Sequence, residues 1–463
     1  MNGVARGPSN DFLRALLAEA EWTGQDLARA VNVVGAEAGL GLRYGRASVS
    51  QWVSGTRPRD PGPALVAEAL SRRLGRSVTA AEAGFAGEPD VWWGWSLPAK
   101  LAELAAAAGA DRRAARRVCV YRLAACEVPV WRTGGGRPQV TDLRGAGDRD
   151  RPVGWTARMA GRELELATIV VRLLSMVDQS YGGGVMRAPA SAFLAHVVGP
   201  WLNAPLDGRA RGELMAVCSQ LAHLCGFMSF DDHAQGPAQR FYRTSLLIAS
   251  DGGRREEFAW ALRAMSVQAH SLGHFRPALQ LAESAVSPRL TVLTRASVSG
   301  QVAVALASTG SRRRALREIG KAEELLDRAL DTPSHSVGSY HRAALAFQKA
   351  TVHAHLHDPG AALEALREAL PLWSAAERRS RAITLARMAE LELGQGLLEE
   401  AVATAHRFLD DCSQIHSARV RGALTGLRAR FRPHGKNQAA RALLQRAAQA
   451  ANALGTAQRA APV

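Results

Sequence analysis

Apolar residues recur at every third or fourth position over most of the chain, which is the spacing of helices that bury one side. In the first part of the chain this spacing predicts short helices at residues 11–17, from Thr23 onward, at 48–53 and at 65–74. Thr23 is suited to the N-cap position, and Gly55 to the left-handed residue that ends a helix. We therefore predict an all-α fold.

A second pattern begins near residue 210, where pairs of predicted helices recur at intervals of roughly 40 residues. Each second helix has a small residue at the same place: Ala238, Ala278, Ala315, Ala362, Ala401 and Ala440. Most of these alanines follow a turn residue by five positions: Gly273, Gly310, Gly396 and Gly435, with His357 in a further copy. Because small residues let two helices approach closely, the pattern predicts a stack of helix pairs with a continuous core.

The first 88 residues, here called the head, carry a recognisable motif. One half of it lies on the second predicted helix: Thr23, Leu27 and Ala28. The other half surrounds the third: Ser48, Val49, Trp52, Gly55 and Arg57. On these residues the head resembles the Cro/repressor-type (XRE) helix-turn-helix family over residues 10–84. It departs from the family in two places. Gly24 replaces a phosphate-contacting Gln, which is displaced to Gln25, and the two halves are about twice as far apart as in compact members.

The resemblance implies sequence-specific contact with double-stranded DNA. In that family the N-terminal part of the third helix faces base edges in the major groove. Carried onto this chain, the implied DNA-contacting residues are Gln25, Arg43, Arg46, Ala47, Ser48, Ser50, Gln51, Arg57 and Arg59. Arg46 and Gln51 are the best suited to read bases, because Arg makes two hydrogen bonds to guanine and Gln makes two to adenine.

The repeats, over about residues 210–455, resemble degenerate tetratricopeptide (TPR) repeats. That resemblance implies an α-solenoid with a concave groove that can hold a peptide, a small molecule or a protein. The alternative is that the stack only dimerises the protein. A helix-turn-helix head followed by TPR-like repeats is similar to bacterial one-component regulators, including peptide-sensing, developmental and antibiotic-production regulators. The resemblance therefore implies a homodimeric transcriptional regulator of the repressor type. The alternative is a TPR-type protein-interaction scaffold whose basic head is structural or contacts RNA.

Four parts are predicted along the chain. They are the head at residues 1–88, a helical connector at 89–209, the TPR-like repeats at 210–455 and a disordered tail at 456–463. Within the connector, a composition rich in glycine and arginine predicts a flexible loop near residues 132–155. The glycines at residues 182–184 lack the strand and the Lys-Ser/Thr of a phosphate loop, so we predict a loop between helices there.

The formal net charge of +16 favours a polyanionic partner. Between residues 43 and 76, seven arginines stand against two acidic residues, Asp60 and Glu68. Arginine outnumbers lysine throughout the chain, as is typical of GC-rich coding sequences. Part of the charge therefore carries no functional meaning.

Candidate chemistry is otherwise sparse. His353, His355, His357 and Asp358 resemble a metal site but lack a third ligand at a familiar spacing, so we expect neither metal nor cofactor. No nucleophile motif or phosphate loop occurs, so we expect no enzyme. Five cysteines without a C-x-x-C pair predict small core residues in a reducing compartment. Since there is neither a membrane-spanning apolar run nor a signal pattern, we expect a cytoplasmic, nucleoid-associated protein.

Overall fold

The computed structural model describes residues 9–85, 119–128, 157–202, 208–329 and 340–460, with single positions between 97 and 106. Every regular element in these segments is helical, and the α-helices of eight residues or more are numbered α1 to α18 below. The predicted all-α fold is confirmed. The predicted loop near residues 132–155 lies outside the described residues, and the predicted domain boundaries stay predictions.

The described part of the head contains four helices: α1 (Asp11–Glu19), α2 (Gly24–Glu37), α3 (Arg46–Val53) and α4 (Gly62–Leu74). α2 begins at the predicted N-cap, where the Thr23 hydroxyl accepts from the Asp26 N–H and the Asp26 carboxylate accepts from the Thr23 N–H. α3 ends before Gly55, whose φ of 95° confirms the predicted left-handed residue. α3 begins two residues earlier than predicted. The long interval between the two motif halves is filled by the end of α2 and a loop at residues 38–45.

The four helices of the head bury one apolar core, whose members include Leu13, Leu27, Val49, Trp52 and Leu70. Val49 and Trp52 lie three positions apart on α3, so one side of that short helix faces the core and the other faces outward. Burial of such side chains contributes about 1.5–3 kcal/mol each. That packing stabilises a helix that is too short to be stable alone.

Two helices lead from the connector into the repeats: α5 (Ala157–Tyr181) and α6 (Gly183–Phe193). Only Gly182 lies between them, with φ of 85°, and Gly183 begins α6. The predicted loop is therefore a single residue. A Cβ on Gly183 would lie 2.6 Å from the Cα of Met228, so the missing side chain allows two helices to cross closely.

Twelve helices follow as six consecutive pairs. The pairs are α7 (Gly208–Asp231) with α8 (Gln235–Asp251), α9 (Arg255–Ser271) with α10 (Phe275–Ser284), α11 (Val292–Ser308) with α12 (Arg312–Ala329), α13 (Arg342–His355) with α14 (Pro359–Ala369), α15 (Arg378–Gly394) with α16 (Leu398–Cys412), and α17 (Ala418–Phe431) with α18 (Gln438–Ala460). The six alanines that define the repeat all lie in the first turn of the second helix of a pair, and all have 0% exposure. The predicted helical solenoid is confirmed.

The turn inside most pairs contains a residue with positive φ. The predicted turn residues Gly273, Gly310, Gly396 and His357 have this conformation. Gly435 also lies in a turn, as predicted, but its φ is −64° because a short 3-10 turn precedes it. His233 takes the left-handed conformation in the first pair, where no glycine marked the turn.

The fifth and sixth helix pairs of the repeats contact the helices of the connector. The Ser180 hydroxyl donates to the Ala376 carbonyl at 2.9 Å. The His416 N–H donates to the Tyr181 carbonyl at 2.6 Å, and the Gly184 N–H donates to the His416 carbonyl at 3.0 Å. These bonds join α5 and α6 to the segments that precede α15 and α17. The described helices of the repeats and connector therefore form a closed superhelix.

All five cysteines are free and buried, which confirms their predicted place in the core. Burial raises the pKa of the Cys225 thiol to about 12, so this thiol stays protonated at neutral pH. In the segments that the structure describes, no helix combines the length and apolarity needed to cross a membrane.

Candidate nucleic-acid interface

The outward face of α3 carries polar and basic side chains. Arg46, Ala47, Ser50 and Gln51 are all exposed, on the side opposite Val49 and Trp52. Residues three and four positions apart share one face of a helix, so Arg46, Ala47, Ser50 and Gln51 form a continuous surface. The structure therefore brings together four of the residues implied by the helix-turn-helix resemblance.

The N-terminus of α3 is held by α2. The side-chain oxygen of Gln25 accepts a hydrogen bond from the Arg46 N–H at 3.3 Å. Gln25 therefore satisfies one of the backbone N–H groups that have no partner within the first turn of α3. Gln25 and Ser48 are half-buried. Gln25 thus has a structural partner in the head besides the DNA contact that the resemblance implied.

The loop before α3 is fixed by a residue that sequence reasoning missed. The Asn32 side chain donates to the Tyr44 carbonyl and accepts from the Tyr44 N–H, both at 2.9 Å. The Tyr44 ring packs edge-on against Trp52, with 4.9 Å between ring centroids. This clamp positions Arg43, the exposed neighbour of Tyr44, beside the start of α3. A polar residue in the interior of a predicted helix, followed by a long loop, was the available signal.

The basic residues of the head fall into two groups. Arg43, Arg46 and Arg59 are exposed and form no ion pair with a described residue, and Arg57 is paired loosely with Asp60 at 3.3 Å. The second group is paired inside the head. Its members are Arg72, which binds Glu37 and Glu68, Arg73, which donates to the Ala20 carbonyl, and Arg76, which binds Glu19. The seven arginines counted from sequence therefore overstate the positive charge that the head presents.

The first group lies around the exposed face of α3. Arg46 begins the helix, Arg43 precedes it by three residues, and Arg57 and Arg59 follow its C-terminus. Such a surface offers guanidinium groups to phosphates at both ends of a helix and polar side chains to base edges between them.

Residues 119–128, here called the strap, join the head to the repeats. Val120 packs in the head core, whereas the next residue, Tyr121, packs in the core of the repeats. The Leu123 N–H donates to the Glu68 carboxylate at 2.9 Å. On the other side, the Arg122 N–H donates to the Gln239 side chain at 2.9 Å, and Gln239 donates back to the Arg122 carbonyl at 2.7 Å.

A second contact joins the head directly to the second repeat pair. Nε2 of His274, the residue before α10, lies 3.7 Å from the Glu37 carboxylate of α2. The His274 ring is stacked on Tyr121 of the strap, with 5.6 Å between centroids and 3° between the ring planes. Burial raises the pKa of Glu37, but the nearby His274 and the hydrogen bonds and charge of Arg72 outweigh it and leave the pKa below its ordinary value. Glu37 is therefore ionised at neutral pH and held by both parts of the molecule.

The histidines noted in the sequence around Asp358 do not converge on one point. α13 ends at His355, so His357 lies in the following turn and not on one helical face with His353. His355 instead points its Nε2 at Nε2 of His270, 3.0 Å away. No group of three or more potential metal ligands is found among the described residues.

Residues 13–86 match the family described as the SP15 N-terminal domain. No curated protein matches the chain. Among solved structures that match is a Signal Transduction ATPase with Numerous Domains (STAND) protein with a tetratricopeptide repeat sensor from Pyrococcus horikoshii, with 12% identity over 67% of this chain. The match spans 55% of the length of that protein, and its TM-score of 0.38 supports no conclusion about this chain.

Proposed function

We propose that this chain is a sequence-specific DNA-binding transcriptional regulator of the repressor type. The observation that carries the proposal is the exposed face of α3, where Arg46 and Gln51 stand between unpaired basic residues at both ends. The TPR-like repeats form the regulatory part, in which a homodimer assembles and a ligand is sensed. We expect no catalytic step and place the protein in the cytoplasm, on the nucleoid.

Recognition divides between two kinds of contact. Arg46 and Gln51 lie on the outward side of α3 and read base edges in the major groove, where each side chain offers two hydrogen bonds in one plane. Arg43, Arg57 and Arg59 bind phosphates, which fixes the position of the helix but carries no sequence information. Binding weakens steeply as salt rises, because each neutralised phosphate releases counterions.

A homodimer is expected because one eight-residue recognition helix reads few bases. Two heads on a pseudo-palindrome, with half-sites about 34 Å apart, multiply the specificity of one. The strap gives the repeats control over each head. Since Glu68 of the head accepts a hydrogen bond from the strap and Glu37 lies 3.7 Å from His274, a ligand that rearranges the repeats also moves the head.

The test is DNA binding by the wild type and by an Arg46→Ala/Gln51→Ala double variant. Genome-wide immunoprecipitation is expected to give discrete peaks that share a palindrome and that disappear in the double variant. Arg276→Ala, at an exposed arginine on α10, is the matched control and is expected to keep the peaks. Peaks that survive the double variant would rule out α3 as the recognition helix.

The second candidate function is a protein-interaction scaffold with a structural or RNA-contacting head. It is favoured by the internal pairing of Arg72 and Arg76 and by the close packing of the head against the strap. A scaffold captures a protein partner through its repeats and is indifferent to operator sequence. Gel-shift competition with shuffled DNA separates the two, because only a regulator prefers one sequence at constant salt.

A further inference from the structure

Helix α5 carries apolar side chains on two faces, of which one is covered. On the covered face, Ala167, Val171 and Leu174 are buried in a core that includes residues of α6 and α7. On the other face, four large apolar residues remain between 50% and 58% exposed: Leu166, Ile169, Leu173 and Met176. A helix that is apolar on both faces is usually packed on both, so the second face of α5 is suited to a further partner.

These four residues, here called the α5 stripe, follow the spacing of a coiled-coil seam. They lie at positions i, i+3, i+7 and i+10, so their side chains align along about 15 Å of one helix face. Among the described side chains, no other helix carries more than one large exposed apolar residue. Single exposed apolar residues are normal on protein surfaces, whereas a contiguous row of them indicates an interface.

One edge of the α5 stripe bears an acid and a base. Glu165 and Arg172 are exposed and border the stripe on the same side of the helix. They are seven positions apart, which separates them by about 10 Å along the axis, too far to pair within one helix. Neither forms an ion pair with another described residue. Two opposite charges are therefore available beside the stripe.

This surface complements itself when two α5 helices pack antiparallel. With a two-fold axis between residues 168 and 169, Glu165 lies opposite Arg172 of the partner subunit, and the symmetry repeats the pair. In the same register, Leu166 falls midway between Ile169 and Leu173 of the partner subunit, as a knob does in a hole. One register thus satisfies the charges and the apolar packing together.

A parallel pair does not satisfy the charges. In that arrangement Glu165 and Arg172 each lie opposite an apolar residue of the partner helix, at the positions of Val170 and Val177, which offer no opposite charge. The sequence of the exposed face therefore favours the antiparallel arrangement.

We propose that α5 is the interface through which two copies of this chain form an antiparallel homodimer. The α5 stripe forms the apolar centre, and Glu165 and Arg172 form its charged edge. A second copy is the partner that supplies the matching stripe and the matching charges on one surface. The charges set the orientation more than the affinity, because their pairs stay close to solvent. The inference rests on the homodimer of the proposed function and locates its interface on the connector rather than on the repeats.

Sedimentation velocity of the full chain without DNA measures the association. The wild type is expected to sediment as a dimer at micromolar concentration. Ile169→Glu places two carboxylates beside the two-fold axis and is expected to raise the dimer dissociation constant by about a hundredfold or more. Val286→Glu is the matched control and is expected to leave the dimer unchanged, because Val286 is similarly exposed but lies outside the α5 stripe. Circular dichroism and thermal unfolding check that each variant is folded.

Charge reversal tests the register. Glu165→Arg and Arg172→Glu each place like charges opposite each other twice in the dimer, so each is expected to weaken association by about tenfold or more. The double variant Glu165→Arg/Arg172→Glu restores both pairs with their signs exchanged, and it is expected to associate as the wild type does. A role of these residues only within one chain would not produce that rescue.

A wild type that stays monomeric up to millimolar concentration would overturn the inference, and so would a dimer that persists in Ile169→Glu. Failure of the double charge variant to recover would overturn the antiparallel pairing. A dimer that persists in Ile169→Glu retains the homodimer of the proposed function with another interface, whereas a monomeric wild type removes both. Because no DNA is present, these outcomes leave recognition by α3 untouched, and a failure of DNA binding leaves this interface untouched.

Discussion

The guanidinium group of Arg72 binds both carboxylate oxygens of Glu37, with donor–acceptor distances of 2.8 and 2.7 Å. Its Nε also donates to Glu68 at 2.8 Å, and its Nη2 lies 3.5 Å from the Tyr121 carbonyl. One half-buried cation thus serves the half-buried carboxylate of Glu37, the buried carboxylate of Glu68 and the strap. Burial lowers the pKa of Arg72, but the two glutamates raise it above its ordinary value, so the cation is permanent.

Replacing Arg72 by Met is expected to destabilise the protein by about 3–5 kcal/mol, because it leaves the buried carboxylate of Glu68 and the half-buried carboxylate of Glu37 without their cation. Urea unfolding followed by tryptophan fluorescence measures the change. The control is Arg59→Met at an exposed arginine, which is expected to change stability by less than about 0.5 kcal/mol. Equal stability of the two variants would contradict the role given to Arg72.

Asn32→Ala is expected to weaken DNA binding although Asn32 is not on α3. The substitution removes both hydrogen bonds to Tyr44, which costs about 1–3 kcal/mol of local stability and frees the loop that carries Arg43. Fluorescence anisotropy with a labelled operator measures the affinity. Val33→Ala, at the exposed neighbouring position, is the control and is expected to bind normally. Wild-type affinity of Asn32→Ala would show that the clamp does not position the interface.

Gly236→Ala is expected to displace the strap. A Cβ at Gly236 would lie 2.1 Å from the Cys119 carbonyl oxygen, which no side-chain rotation relieves. Hydrogen exchange of residues 119–128 is expected to rise, and the free energy of unfolding to fall by more than about 1 kcal/mol. Gly212→Ala is the matched control, since its Cβ would meet nothing within 4 Å on α7. It is expected to raise stability by up to about 1 kcal/mol. Unchanged hydrogen exchange in Gly236→Ala would show that the strap accommodates the added Cβ without losing stability.

Acid is expected to destabilise the second to fourth repeat pairs. Burial and the neighbouring His355 lower the pKa of His270 to about 4. Because the unfolded chain takes up this proton at about pH 6.5, the folded state loses stability as the pH falls from 6.5 towards 4. The loss is at most about 3 kcal/mol. Thermal unfolding between pH 7 and 4.5 measures it.

The matched variants for that titration are His270→Gln and His416→Gln. His270→Gln is expected to reduce the pH dependence, because it removes one group that titrates in this range; His223, whose pKa burial also lowers to about 4, keeps the rest. His416 is exposed and is bonded only through its backbone, so His416→Gln is expected to keep the wild-type profile. Identical profiles for the wild type and His270→Gln would assign the acid sensitivity to other groups.

Local patterns predicted the parts of the fold that depend on neighbours in sequence. The cap at Thr23, the left-handed Gly55 and the buried alanines of the repeats each follow from a few adjacent residues. The strap and the closure do not, because Arg122 meets Gln239 across 117 positions and Arg379 meets Asp178 across 201. Contacts at such separations leave no periodic signal in one sequence.

The candidate interface likewise contains features that the sequence predicted and features that depend on how distant helices pack. The resemblance to the helix-turn-helix family already placed Arg46 and Gln51 on the outward side of the third helix, and the apolar positions Val49 and Trp52 agreed with that placement. The clamp of Asn32 on Tyr44 and the pairing of Arg72 by Glu37 depend on how helices pack. Counting charges along the chain therefore could not separate the arginines available to a polyanion from those used within the head.

Closure of the superhelix also sets how the repeat number can vary. An open solenoid gains or loses a repeat at small cost, because each unit contacts only its neighbours. Here the backbone hydrogen bond between His416 and Tyr181 and the ion pair between Arg379 and Asp178 require the fifth and sixth pairs to lie against α5. A chain with one pair more or fewer would miss both contacts. Insertions that lengthen loops are therefore tolerated in this architecture, whereas duplication or deletion of a whole unit is not.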